Sequence, residues 1–264
     1  MNRMVSAFKR AKSAIGAAVG RLFTLGFTRK AGDQVLKETS HILGKLNEES
    51  RKNIDEALTS AAKDGTLRTL TALGIAQKLV NVTLSRANKA MLSAALTDTY
   101  ADILAVTQNM DRRTRTTIRQ AIADAIRINL SRGINSSKDI SQTAMDRIRN
   151  TLGQAVDTGI IDSSGRRWKP EVYVETVIQT KMAETQRNAT INEALERDVY
   201  YAQISSHGAK DACRNWEGRI VKLTPDAPGN YPYVGDLPRN EIFHPRCRHT
   251  LLPVRTPDNI GGDE

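Results

Sequence analysis

SSHGAKDACRNWEGRIVKL, residues 205–223, and EIFHPRCRHTLLPV, residues 241–254, contain both cysteines of the chain, Cys213 and Cys247, and every histidine except His41. His207 and Cys213 lie six residues apart across a segment that Gly208 can turn, and Cys247 and His249 lie two apart after the bend of His244 and Pro245. Two pairs of nitrogen and sulfur donors on separated loops are what a structural tetrahedral zinc site needs. An ion would stand in for the apolar core that so short a unit cannot build. The expected ligands are His207, Cys213, Cys247 and His249, with His244 as an alternative. The spacing contains neither CxxC nor HxxxH, so other readings stay open: a Cys213–Cys247 disulfide, or inert thiols beside histidines that hydrogen-bond loop carbonyls. A catalytic metal would need a general base as well, for which Glu217, Asp211 or His244 can be nominated. No paired carboxylates accompany them.

Upstream the composition changes. Of 264 residues, 39% are hydrophobic but only 5% aromatic; between Phe27 and Trp168 the single aromatic residue is Tyr100, and no proline precedes Pro170. A long proline-free, aromatic-poor interior suits packed helices rather than a sheet core. The predicted fold is mainly α, a long-helix N-terminal body with a small α+β, zinc-knuckle-like C-terminal domain. The expected divisions are a basic amphipathic arm over 1–32, a helical body over 33–158, a C-terminal domain over 159–254 and a flexible tail over 255–264. Two cysteines are too few for a disulfide-built secreted scaffold, which favours a reducing compartment. No apolar run approaches the roughly 20 residues of a spanning helix, and SAIGAAVG is too short and too soon interrupted by Arg21 for a signal peptide.

Met4, Phe8, Ile15, Val19, Leu22 and Phe23 recur at helical intervals among basic residues, and no acidic residue precedes Asp33. Such an arm can lie on a membrane surface, lie against nucleic acid, or pack its stripe within the protein. Gly32 and Asp33 then suggest the start of a helix carrying Val35, Leu36, Leu43, Leu46, Ile54 and Leu58, closed by Asp64 and Gly65. A second pattern runs from Leu67 through Leu79, Val80 and Met91 towards Met110. Asp111 is expected to cap a segment with Ile118, Ile122, Ile126 and Leu130 on one face and arginines opposite. After Gly133 the pattern through Ile140, Ile148 and Leu152 predicts a shorter helix. GIIDSSGRRW predicts a turn at Ser163–Gly165 between two short arms, Pro170 opens another helix, and VYYAQISS alternates as a strand leading to His207.

The formal net charge of +10 favours a polyanionic partner. Arg112, Arg113, Arg115, Arg119 and Arg127 are the expected nucleic-acid contacts, because guanidinium forks match phosphate oxygens. A solvated face with partners at Asp111 and Asp124 is the plainer reading.

DSSGRRWKPEVYVETVIQTKMAETQRNATINEALERDVYYAQISSHGAKDACRNWEGRIVKL, closed by HPRCRH, resembles the phage minor capsid protein 2 family and, more distantly, the Mu F-like head morphogenesis proteins. The matching positions are Gly165 to Trp168, His207 to Ala209, Trp216, Gly218, Cys247, Arg248 and His249, within about 160–254. Two positions depart from the pattern: Gln179 stands where an arginine is expected before Thr180, and Cys213 where relatives often carry histidine or the second cysteine of a CxxC. The resemblance implies a minor capsid or head morphogenesis protein of a tailed bacteriophage, not an enzyme. It implies a virion location in the head interior or near the portal, after synthesis in the host cytoplasm. The partners it implies are portal and capsid proteins, sibling copies, and packaged double-stranded DNA bound without sequence preference, with ejection alongside the DNA in some relatives. A membrane contact through the N-terminal arm is a further expectation. Two competitors come from other classes: a metal-dependent nuclease of the phage head, and a cellular DNA-binding regulator with a zinc knuckle.

Overall fold

The computed structural model describes residues 2–25, 28–75, 82–131, 149–151, 153–154, 160–161 and 165–257. The elements run α1 (Asn2–Gly20), α2 (Leu22–Leu25), α3 (Arg29–Ala72), α4 (Arg86–Ser131), β1 (Ile160–Ile161), β2 (Arg167–Trp168), α5 (Pro170–Leu195), β3 (Tyr201–Ile204), β4 (Ile220–Lys222) and β5 (Leu251–Val254). Long helices dominate the N-terminal part, and a small antiparallel sheet with a Cys/His cluster follows, as the composition predicts. The expected helix through Ile140 and Ile148 and the tail from 258 onward lie outside the described residues, as do Leu79 and Val80. No described helix is long and apolar enough to cross a membrane.

Chain contacts divide the protein into two compact units, one of 1–53 with 100–175 and the other of 54–99 with 176–264. In the first, α1 is not a free arm. Met4, Phe8, Ile15 and Val19 are 0–4% exposed, and Ala7, Ala11 and Ala18 between them are 0–7% exposed. The small alanines let the helix seat closely, while Arg10 pairs with Glu49 at 2.6 Å and Lys12 with Glu171 at 2.9 Å. The apolar stripe expected to be offered to a membrane is therefore used inside the unit. β1 and β2 form the predicted two-armed hairpin, with Ile160 opposite Trp168 and Gly165 at φ 77°.

Three expected helix boundaries are not boundaries. Gly32 and Asp33 lie inside α3, and a Cβ on Gly32 would overlap the Ile122 side chain. Asp64 and Gly65 also lie inside α3, which continues to Ala72. Gly65 is kept for close packing, since a Cβ there would run into the backbone carbonyl oxygen of Gln186 on α5. Asp111 caps nothing: it sits in the middle of α4 and binds Arg115 one turn on at 2.6 Å.

In the second unit this close approach carries a buried polar seam. Thr69 Oγ1 donates to the Gly65 and Thr190 carbonyls, and Asn88 Nδ2 donates to Thr66 Oγ1 and the Ala189 carbonyl. Beside it stands the sheet, ordered β4-β3-β5 and antiparallel throughout. Ala202, Ile204, Val221 and Leu251 point from it into a core completed by Val199, Leu223, Val234, Leu237, Ile242, Phe243 and Cys213. That the core reaches Cys213 explains how the knuckle is placed.

Candidate metal centre

The register of β3 on β5 brings the two donor-bearing loops together. Ile204 pairs with Leu251, and one residue further Ser205 N donates to the Thr250 carbonyl while Thr250 N donates to Ser205 Oγ, both at 2.9 Å. The loop leaving β3 therefore starts beside the one entering β5. Gly208, at φ 72°, turns the first loop. Asp211 Oδ1 then accepts from Cys213 N at 3.2 Å, capping the short 3-10 turn Ala212–Trp216 that drives Cys213 into the core. The second loop bends twice through the left-handed region, at Phe243 (φ 57°) and Arg246 (φ 67°), and Cys247 N closes a turn on the His244 carbonyl. Non-glycine residues are held there only where their surroundings over-determine them. The bends aim His244 and Cys247 at the first loop.

Cys213 Sγ and Cys247 Sγ lie 3.7 Å apart, Cys247 Sγ is 3.3 Å from His249 Nδ1, and Cys213 Sγ is 3.1 Å from His244 Nε2. Cys213, Cys247 and His249 form a group close enough to share an ion, and a second group of Asp211, Cys213 and His244 shares its sulfur. His207 is not with the sulfurs: its ring stacks on His249 at 4.2 Å, and it groups instead with Glu217 and His249. Of the four ligands expected from sequence, three converge, and the neighbour to Cys213 is the alternative, His244. Both cysteines are free thiols, and Cys213 is buried.

The donor set fits a soft or borderline divalent cation. Two sulfurs each about 2.3 Å from a tetrahedral zinc would stand about 3.8 Å apart, close to the separation found. The imidazoles are oriented from behind. Glu217 Oε1 lies 3.1 Å from His249 Nε2, and a carboxylate only accepts, so the proton sits on Nε2 and Nδ1 offers its lone pair to the sulfurs. His244 Nδ1 lies 2.9 Å from the Pro245 carbonyl, and its Nε2 faces both Cys213 Sγ at 3.1 Å and Asp211 Oδ2 at 3.3 Å. Burial and the neighbouring Cys247 push the Cys213 thiol up to about 12. Thiolates form side by side here only where a cation compensates them.

Glu217 and Asp211, nominated from sequence as general bases, are occupied otherwise. The backbone N–H groups of His207 and Ala209 donate to Glu217 Oε1 at 2.9 and 3.0 Å, and with His249 they hold this carboxyl down to about 2. So acidic a group is a weak base at neutral pH. Its supporting role was not legible in the sequence, because the residues it joins are ten and thirty-two positions away. Trp216 packs against the core and donates to Glu241 at 3.1 Å.

The five arginines proposed for nucleic acid all lie on α4 but differ in freedom. Arg112 and Arg119 are exposed, and among the described residues neither has an ion-pair partner. Arg113 is half-buried, Arg115 is bound to Asp111, and Arg127 pairs with Asp124. The opposite face is not uniformly apolar either, for Ile118 is fully buried while Ile126 is 46% exposed.

Among known families, a model described as phage minor capsid protein 2 matches residues 2–256, nearly the whole chain. The chain belongs to that family. No curated protein and no solved structure is significantly similar to it.

Proposed function

We propose that this member of the phage minor capsid protein 2 family serves in the head of a tailed phage, at the portal or on the inner head surface, as a structural component rather than an enzyme. The observation that carries the reading is the family match, which includes the helical half as well as the motif-bearing end. Its helices pack against portal, capsid or sibling copies, and residues 159–254 act as a C-terminal domain. The net charge of +10, with exposed Arg112 and Arg119, supports contact with packaged DNA through phosphate and without sequence preference. Zinc held by Cys213, Cys247 and His249 would tie the two loops at the mouth of the sheet. The ion's contribution is a crosslink between the two loops.

A nuclease reading is less well supported, because Glu217, Asp211 and His244 are each engaged with backbone groups or with the sulfurs. Mass spectrometry of purified virions before and after DNA release tests the assignment. The protein is expected in the particle, and its absence from both the particle and the released fraction defeats the proposal. Incubation of the purified chain with divalent metals and phage DNA tests the alternative, since cleavage abolished by His244→Ala or Glu217→Ala would establish an enzyme.

A further inference from the structure

Arg187, on α5, is only 6% exposed. The buried carboxylates have cationic partners: Glu171 binds Lys12 and Glu193 binds Arg197. Arg187 does not share this pattern. Among the described residues it makes neither an ion pair nor a hydrogen bond; what it has is the ring of Phe243, with the guanidinium carbon 4.2 Å from the centroid. The acid nearest along the helix, Glu184, approaches Lys181 at 4.0 Å instead. Burial first, and then the charge of Arg239, lower the Arg187 pKa to about 10, and the opposing pull of Glu184 and Cys247 is smaller. A sunken cation stacked on an aromatic ring, with a second cation close by, is an expensive arrangement unless an anion arrives from outside.

The form of that anion follows from the geometry. One face of the guanidinium is covered by Phe243, leaving its edge, whose parallel N–H groups match two coplanar oxygens. A duplex phosphate lies flush with a convex surface and is met by exposed cations such as Arg239, Arg246 and Arg248. Arg187, only 6% exposed, lies below that surface, where a carboxylate on a flexible methylene stem reaches more readily than a backbone phosphate. We propose that Arg187, assisted by Arg239, is the receiving site for an aspartate or glutamate side chain presented by a partner protein. This goes beyond the DNA contacts and the metal centre, although the site adjoins the latter, since the charge of Cys247 acts on Arg187.

The test uses the full-length protein and N-acetyl tetraglutamate amide as probe, titrated calorimetrically, with Arg214→Met as an exposed control that removes the same charge. Arg187→Met is expected to weaken binding about tenfold or more, as for loss of a charged hydrogen-bonded contact, and Arg214→Met less than about twofold. The thermal midpoint of Arg187→Met should equal or exceed that of the wild type, because an apolar chain of similar length replaces an unpaired buried charge. Arg239→Ala, at an exposed position, should weaken binding several-fold with the fold intact, and unchanged affinity in that variant would also overturn the proposal. No binding by the wild type, equal affinity in Arg187→Met, or an Arg187→Met midpoint well below wild type would each overturn the proposal. So would a short DNA duplex whose binding falls in Arg187→Met while peptide binding does not.

Discussion

Replacing Gly65 by alanine isolates the contact that brings α3 against α5. In an isolated helix the change would stabilise by about 1 kcal/mol, since glycine is the poorer helix former. Here the new methyl would overlap the Gln186 carbonyl oxygen and stand 3.0 Å from Ala189 Cβ and 3.1 Å from the Gln186 carbonyl carbon. These are mostly backbone atoms, which cannot rotate away. Separating the helices would stretch three bonds already at 3.3 Å, from Thr69 to the Thr190 carbonyl, Thr190 to the Gly65 carbonyl and Asn88 to the Ala189 carbonyl. Overpacking costs about 1–3 kcal/mol, and weakening these bonds adds about 1–2 kcal/mol. Less the helix gain, the net loss is about 1–4 kcal/mol. Gly32→Ala is the control, because the obstructing atom is the tip of the Ile122 side chain; we expect a change within about 1 kcal/mol of zero. Urea unfolding followed by Trp216 fluorescence in a Trp168→Phe background reads the unit that holds Gly65, and Trp168 fluorescence in a Trp216→Phe background reads the unit that holds Gly32. A Gly65→Ala protein as stable as wild type would refute the packing argument.

Other outcomes follow from the same structure. Phe8→Ala should destabilise by about 3–5 kcal/mol, as for a fully buried ring; unchanged urea unfolding would mean that α1 is a detachable arm after all. Purified protein should carry close to one zinc per chain by elemental analysis, and Cys247→Ser or a strong chelator should remove it and lower the thermal midpoint of the C-terminal unit. A metal-free wild type with an unaltered midpoint would end the zinc proposal. In duplex-DNA binding, Arg119→Ala should reduce the slope of log affinity against log salt by about 1. Arg115→Ala, whose guanidinium is bound to Asp111, should change that slope little, and equal effects would show that the ion pair opens on binding.

Helical content was legible from the sequence because it follows from local rules: no proline before Pro170, few aromatics, and apolar residues at spacings of three and four. Helix ends were less legible. Glycine and aspartate favour termini when nothing else acts, but Gly65 is required by the neighbouring backbone and Asp111 by Arg115, neither of which shows in a local window. The donor cluster was visible as residue types, whereas the placing of His207 beside Glu217 and of His244 beside Asp211 was not, since both histidines stand near a turn glycine or proline.

What the chain order and composition determined alone was the chemistry available: long helices, a cationic surface, and sulfur and imidazole confined to one end. Tertiary structure decided how those groups are used. The β3–β5 register set Cys213 3.7 Å from Cys247, Glu217 was drawn into holding His249, and Arg187 was sunk against Phe243 with no ion-pair partner among the described residues. The reason is physical: helix formation depends on residues a turn apart, but ligand geometry, burial and charge pairing depend on neighbours tens of residues away, which only the folded backbone brings within a few ångströms.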